Sequence, residues 1–270
     1  MEKNRYMIGD VANLMGISRD TLRYYEKRGI LSSEKGKNGY RYYTDQDISK
    51  LIGVLYQRRM DIGLDDMETL WTEDGTLDKL TEITNTRLAE ERQAIRRHKQ
   101  TIARLQITRS DCENIRHHLN QVVMQNFPDA YAIVPHADMR ESVELWFQYA
   151  REHSGLDMMY VFDEYTWQRH SESLSIDYRN TQLILRRDLR DIVDYDIPDH
   201  TTPVTNPALC VSSYCISEDR TPNASVVLPM IAWAEKQGLM VSHQLYATFA
   251  FQGSQGGRKV YYQQIYIPVF

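Results

Sequence analysis

Apolar positions recur along the first sixty residues with helical spacing and are interrupted at short intervals. Ile8 to Met15 forms one helical pattern, broken by Gly16 and Ile17, and Ser18 to Arg28 forms a second. Ser18 is placed to accept a backbone N–H at the start of that second helix, and the glycine between the two suits a tight turn. Residues 33–43 are polar, punctuated by glycine and rich in tyrosine, which predicts a loop. Thr44 and Asp47 then open a helix carrying Ile48, Leu51, Ile52 and Leu55, ending in Arg58 and Arg59 and stopped by Gly63. Another helix begins at Asp65 to Glu68, and Asp74-Gly75 reads as a turn.

From Leu77 to Val123 no proline or glycine occurs, and a single long helix is expected. Within it Leu88, Ile95 and Ile102 recur every seven residues, with Leu105, Cys112 and Leu119 on the companion seam. A seven-residue repeat makes an apolar seam too narrow for a globular core but suited to pairing with another helix. Glu91, His98 and Arg109 interrupt it, and Ile115 and Val122 run alongside.

Asn126 to Asp129 ends the helix in this reading, and shorter patterns follow. Strands are expected at 131–134, 158–167, 178–185, 208–215, 243–251 and 259–269, with a loop from Pro198 to Pro207 and a turn over 253–257. Helices are expected from the Asp138 cap to Glu152 and from Asn223 to Gln237. The order strand, helix, strand, strand occurs twice. Tyr149-Ala150 before Gly155-Leu156 finds a faint echo in Trp233-Ala234 before Gly238-Leu239. The expected architecture is therefore multidomain α + α/β. It comprises a winged helix-turn-helix over 1–75, a long coiled-coil dimerisation helix over 76–123, and an α+β domain with duplicated βαββ halves over 124–270.

Charge sharpens this division. The 270-residue chain has a net charge of -5, yet residues 1–61 carry 12 Lys and Arg against 8 Asp and Glu, whereas residues 122–270 carry 11 against 18. A basic head and an acidic tail suit phosphate binding by the head alone. The chain lacks an apolar signal region or a long apolar run, so a cytoplasmic protein without a membrane partner is expected. Cys112, Cys210 and Cys215 are odd in number and widely spread, which argues against a disulfide framework. They also lack histidines at ligand spacing, and adjacent His117 and His118 diverge on a helix, so neither a metal nor a cofactor is expected.

The runs Ile8-Gly9-Asp10-Val11-Ala12, Leu22-Arg23-Tyr24-Tyr25-Glu26, Gly29-Ile30-Leu31 and Tyr40-Arg41-Tyr42-Tyr43 resemble the winged helix-turn-helix of MerR-family transcription regulators. The resemblance implies a recognition helix in the major groove of promoter DNA, with a wing and a following helix on the phosphates. The implied contact set is Ser18, Arg19, Thr21, Arg23, Tyr24, Tyr25, Lys35, Lys37, Arg41, Tyr42, Arg58 and Arg59. It further implies an antiparallel coiled coil between two subunits, and a homodimer reading a pseudo-palindrome and acting with RNA polymerase. A ligand would make the dimer untwist and kink an overlong promoter spacer.

The last 150 residues resemble, in element order, the GyrI-like effector domain of multidrug-sensing members. Residues 122–270 hold eleven tyrosines, three tryptophans and six phenylalanines alongside the acidic excess. Ring faces with a carboxylate suit a lipophilic cation. The candidate effector residues are Tyr160, Phe162, Asp163, Glu164, Tyr165, Trp167, Tyr178, Tyr214, Tyr246 and Tyr261. Where cation-binding relatives place a pocket glutamate, this chain has Tyr246. That leaves open a replacement by Asp163 or Glu164, and equally a neutral aromatic ligand. Two other readings are a thiol- or metal-sensing regulator and a hydrolase using Glu164, although no nucleophile–base pair at diagnostic spacing supports catalysis.

Overall fold

The computed structural model describes residues 4–36, 39–72, 76–170, 173–197 and 209–270. Lys37, the Asp74-Gly75 turn, the Pro198–Pro207 loop and Ala208 lie outside them. The chain forms two compact units, Met1–Ile95 and Arg96–Phe270. The boundary falls inside the long helix.

In the first unit, β1 (Tyr6–Met7), α1 (Ile8–Met15) and α2 (Arg19–Lys27) are followed by β2 (Glu34–Lys35) and β3 (Arg41–Tyr43), then α3 (Asp45–Arg59) and α4 (Leu64–Thr72). The three strands form one antiparallel sheet in the order β1-β3-β2. Gly16 closes α1 with φ of 66°, in the left-handed region that disfavours a side chain. The Ser18 hydroxyl accepts from Thr21 N–H at 2.9 Å, capping α2 as expected. Thr44 and Asp47 make a reciprocal capping box, the Thr44 N–H donating to Asp47 Oδ2 at 2.8 Å. Gly63 does not end α3. Asp61 does, at φ 56°, a conformation that a short polar side chain tolerates. Val11, Ala12, Leu22, Tyr25, Ile30, Leu51 and Val54 are buried together in this unit's core.

Helix α5 runs from Thr76 to His118, five residues short of the expected end. Leu119 makes an isolated bridge to Tyr214, and β4 (Val122–Asn126) pairs with a later strand, so Leu119 and Val122 leave the helical seam for the sheet. Asn120, with φ of 57°, makes the turn, its N–H donating to the Tyr214 carbonyl at 2.7 Å.

The second unit continues with β5 (Ala130–Ala137), α6 (Met139–Glu152), β6 (Tyr160–Arg169), β7 (Leu174–Arg186), β8 (Leu209–Ser217), α7 (Ala224–Lys236), β9 (Gln244–Gln255) and β10 (Arg258–Pro268). Seven strands form a sheet in the order β4-β8-β10-β9-β6-β7-β5, every pairing antiparallel. The order β5-α6-β6-β7 is followed by β8-α7-β9-β10, and in each set the last strand lies between the other two. The Gly155 and Gly238 echo has a physical basis: both follow a helix end with positive φ, 97° and 75°.

Strand alternation divides this sheet into two faces. On one, Tyr165, Val211, Leu245 and Ile265 pack against Val227, Met230, Ile231 and Ala234 of α7. On the same strands but the other face, Phe162, Ile184, Cys210 and Tyr266 gather around Phe127. Helix α5 is fastened to the second unit by Gln100, which is 2% exposed. Its amide donates to the Ser154 and Ile192 carbonyls, both at 3.0 Å, and accepts from the Ser154 hydroxyl at 2.8 Å.

Candidate nucleic-acid interface and ligand cleft

In the first unit the basic face is built on α2. Arg19, Arg23 and Tyr24 are exposed, and Arg23 pairs with Asp20 at 3.0 Å on the same helix. The Arg19 guanidinium lies over Gly9, where an added Cβ would come within 3.0 Å of Nη2. Tyr24 and Tyr25 point apart: Tyr24 is 48% exposed, while Tyr25 is 6% exposed and belongs to the core.

Glu26 joins the wing to the helix, a role invisible in the sequence pattern. It accepts from the Tyr43 hydroxyl at 3.0 Å and pairs with Arg41 Nε at 3.0 Å. Burial, then the Glu26 hydrogen bond, holds the Tyr43 phenol well above its ordinary range. Arg28 is bound to Glu68 at 2.8 Å and to Asp65, tying α2 to α4. Lys35 is exposed on β2, and Tyr42 is half-buried on β3. Arg58 donates to the Ile62 carbonyl at 2.9 Å beside the exposed Arg59.

On α5, Leu88, Ile95, Ile102 and Leu105 are 46 to 65% exposed. Cys112, by contrast, is half-buried against the second unit.

The second unit contains a cleft of about 770 Å³, within the range that accepts drug-sized ligands. Val143, Trp146 and Phe147 of α6 face Phe249 and Phe251 of β9, and α5 contributes Ile107, Asp111 and Cys112. A smaller cavity, about 440 Å³, is lined by Phe162, Tyr214 and Tyr266 together with Arg186 and Asn114. Asp111 and Tyr160 line both.

The candidate effector residues do not share one pocket. Tyr160 lines both cavities, and Phe162 and Tyr214 the smaller. Tyr165 and Trp167 fill the core beneath α7, where Trp167 Nε1 donates to the Ser242 carbonyl at 2.9 Å. Tyr178 shares a 2.8 Å hydroxyl contact with Thr181, and Tyr246 packs against Phe127 with ring centroids 5.1 Å apart. Tyr261 lies 6.4 Å from Phe249 by ring centroid.

The neighbouring carboxylates of β6 point to opposite faces. Asp163 accepts from the Thr181 hydroxyl at 2.7 Å and pairs with Arg220 at 3.3 Å. Glu164 accepts from the side-chain amides of Asn180 at 3.0 Å and Gln244 at 3.2 Å. Sequence reasoning missed Arg104, Asp111 and Arg220. The only available signal was the apolar face of α6 opposite them.

Cys210 and Cys215 sit on opposite faces of β8, both buried, and burial pushes each thiol up to about 11. Among the described residues no group of three or more His, Cys, Asp or Glu is placed to hold a metal ion. No described helix is long and apolar enough to cross a membrane.

Residues 8–43 match the family model described as MerR family regulatory protein. The chain is 38% identical over 73 residues to the transcriptional regulator BrlR of Pseudomonas aeruginosa, covering 26% of this chain and 27% of that protein. It is 32% identical over 66 residues to the regulator ZntR of Escherichia coli, covering 24% and 47% of the two chains. It is 35% identical over 66 residues to the transcriptional activator TipA of Streptomyces coelicolor, covering 24% and 26%. The match thus spans between about a quarter and a half of these relatives' lengths. All three are named as regulators of transcription, not as enzymes. Among solved structures, the chain is similar to one described as an EcmrR–DNA complex, with 15% identity, coverage of 98% and 99% of the two chains, and a TM-score of 0.34. The capped basic helix, its glycine turn and the wing strand lie within residues 8–43, the stretch that matches the MerR family model.

Proposed function

We propose that this protein is a homodimeric transcription regulator that binds a pseudo-palindromic promoter element and responds to a lipophilic aromatic effector held by its second unit. The observation that carries the reading is the match over residues 8–43, falling on a helix pair whose second helix exposes Arg19, Arg23 and Tyr24. Arg23 and Arg19 supply donors for base edges and phosphates, and Lys35, Tyr42 and Arg59 supply backbone contacts. The exposed Leu88, Ile95, Ile102 and Leu105 support pairing of α5 with a second copy, because a heptad stripe loses most when left in water. Dimerisation places two recognition helices about a two-fold axis, which is why a pseudo-palindromic site is expected.

The repeated strand–helix–strand–strand order supports duplicated βαββ halves of the GyrI-like kind, and the aromatic cleft supports effector binding. By analogy with the relative named as an activator, the effector-bound dimer distorts promoter DNA so that RNA polymerase can engage. In energetic terms the effector favours one of two conformations by its differential affinity for them.

The test is selection of purified full-length protein on a random-sequence DNA duplex pool, followed by titration of the enriched duplex at several salt concentrations. The expected outcome is an inverted-repeat motif with affinity falling linearly in log salt. Enrichment of no motif, or of an asymmetric one bound by a monomer, overturns the reading.

A further inference from the structure

Strands β4 and β5 lie at opposite edges of the seven-stranded sheet, yet only Phe127, Pro128 and Asp129 join them. Seven strands laid flat would hold their edges about 29 Å apart, whereas a three-residue connector reaches at most about 15 Å. The sheet is therefore curled, and its edges approach each other at this connector. Pro128 restricts the Phe127 backbone to extended conformations. The Phe127 ring lies 5.0 Å from Phe162 of β6, 5.1 Å from Tyr246 of β9 and 5.2 Å from Tyr266 of β10, centroid to centroid. These strands are neighbours in the middle of the sheet, so a ring from the edge connector that reaches them lies inside the curl. Phe127 is 8% exposed, and its neighbours Phe162, Tyr266, Asn126 and Pro128 all line the smaller cavity.

We propose that Phe127 is a plug, a built-in ring that keeps the compartment inside the curled sheet closed until the ring of a hydroxylated aromatic ligand displaces it. The proposal rests on the effector reading above and adds a closed compartment beside the cleft, together with the contact that closes it. Thr248 supplies the reason for exchange. It pairs with Phe162 across β9 and β6, lines the smaller cavity and is 8% exposed, yet its hydroxyl has no hydrogen-bond partner among the described residues. A phenyl plug cannot satisfy that hydroxyl, whereas a hydroxylated ring can. The incoming ring makes the same aromatic contacts that Phe127 gives up, so the exchange replaces like with like and adds a hydrogen bond.

The way each ring is held agrees with this assignment. Phe162, Tyr246 and Tyr266 stand within strands paired on both sides and have no freedom to leave. Phe127 stands on a short connector instead. Asp129 fastens that connector to Arg187 at 3.3 Å, but both side chains are about half exposed, and exposed ion pairs contribute little. Movement of the connector has a direct route to the long helix, because β4 and the turn at Asn120 are all that separate Phe127 from the end of α5.

The experiment uses 1-naphthol, a fused ring pair with one hydroxyl, and the full-length protein. Phe127 is replaced by 4-fluorophenylalanine in one sample, and Phe249, which lines the larger cleft, in a second, so that fluorine NMR reports each place separately. Saturating 1-naphthol is expected to move the resonance at 127 to its position in urea-unfolded protein. By calorimetry Phe127→Ala should raise affinity about tenfold or more, because the wild type is mostly closed, and Phe127→Leu should act in the same direction if the alanine variant fails to fold. Thr248→Val should weaken binding about fivefold without lowering Tm, since the hydroxyl it removes has no partner in the free protein. A resonance that moves at 249 but not at 127 overturns the plug and leaves the effector reading intact. Unchanged or weaker binding in both Phe127 variants overturns it too, showing the ring to be ordinary core. Equal affinity in wild type and Thr248→Val overturns the assignment of a hydroxylated ligand. Binding to no variant overturns the plug, while the DNA selection above still tests the regulatory reading on its own.

Discussion

The two units of this chain build their surfaces in different ways. In the first, the groups on the exposed face come from one short stretch of sequence. Arg19, Arg23 and Tyr24 sit on nine residues of helix, and the wing follows within twenty. In the second, the cleft takes Ile107 and Asp111 from α5, Trp146 from α6, Val161 from β6 and Phe249 from β9, positions more than a hundred residues apart. Local geometry presents the first surface, because helical period and a cap fix which side chains share a face. Only sheet pairing and helix docking assemble the second. Substitutions in the first unit should therefore act through one helix at a time, whereas those in the second should act through packing.

The largest test of that contrast is Leu22→Ala, which empties a fully buried position between α1 and α2. It should destabilise the first unit by about 2–5 kcal/mol, read by urea denaturation. DNA binding should be lost while ligand quenching of Trp146 persists. Joint loss of both would show the units to be energetically one. Ile102→Glu places a charge on the exposed stripe of α5 and should shift the protein towards monomer in sedimentation, since a charge has no place in a heptad seam. An unchanged oligomeric state would remove that stripe from the interface.

Gln100→Ala comes next, because it removes the side-chain donor to the Ile192 carbonyl and to the Ser154 carbonyl, which keeps the Asp194 N–H, and the acceptor of the Ser154 hydroxyl. A cost of about 1–3 kcal/mol in the second unit is expected by thermal unfolding. Arg23→Ala should weaken DNA binding by about 1–3 kcal/mol and relax base preference, whereas Tyr42→Phe should lower affinity evenly across sequences. The smallest effect is expected from Thr44→Ala, about 1 kcal/mol of helix α3 stability through loss of its cap.

How much was legible follows the same division. The Ser18 and Thr44 caps, the Gly16 turn and the alternation of strands and helices after residue 129 could all be read directly, because each depends on neighbours a few residues away. Helix α5 was expected to run to Val123, since residues 119–123 carry no glycine or proline. Pairing of β4 with β8 outweighed that propensity, and Asn120 supplied the turn in place of glycine. The same kind of substitution occurred at Asp61, which ends α3 where Gly63 was expected.

By itself, the sequence determined the basic helix-turn-helix, the heptad stripe and the aromatic, acidic character of the remainder, because periodicity, caps and composition are local properties. Tertiary structure decided which aromatic residues are core and which line a cavity. It turned Asp163 and Glu164 to opposite faces and engaged both, and buried Tyr25 beside exposed Tyr24. The physical reason is that a carboxylate's availability depends on which partners strand register and helix docking bring within a few ångströms, and those partners are far away along the chain.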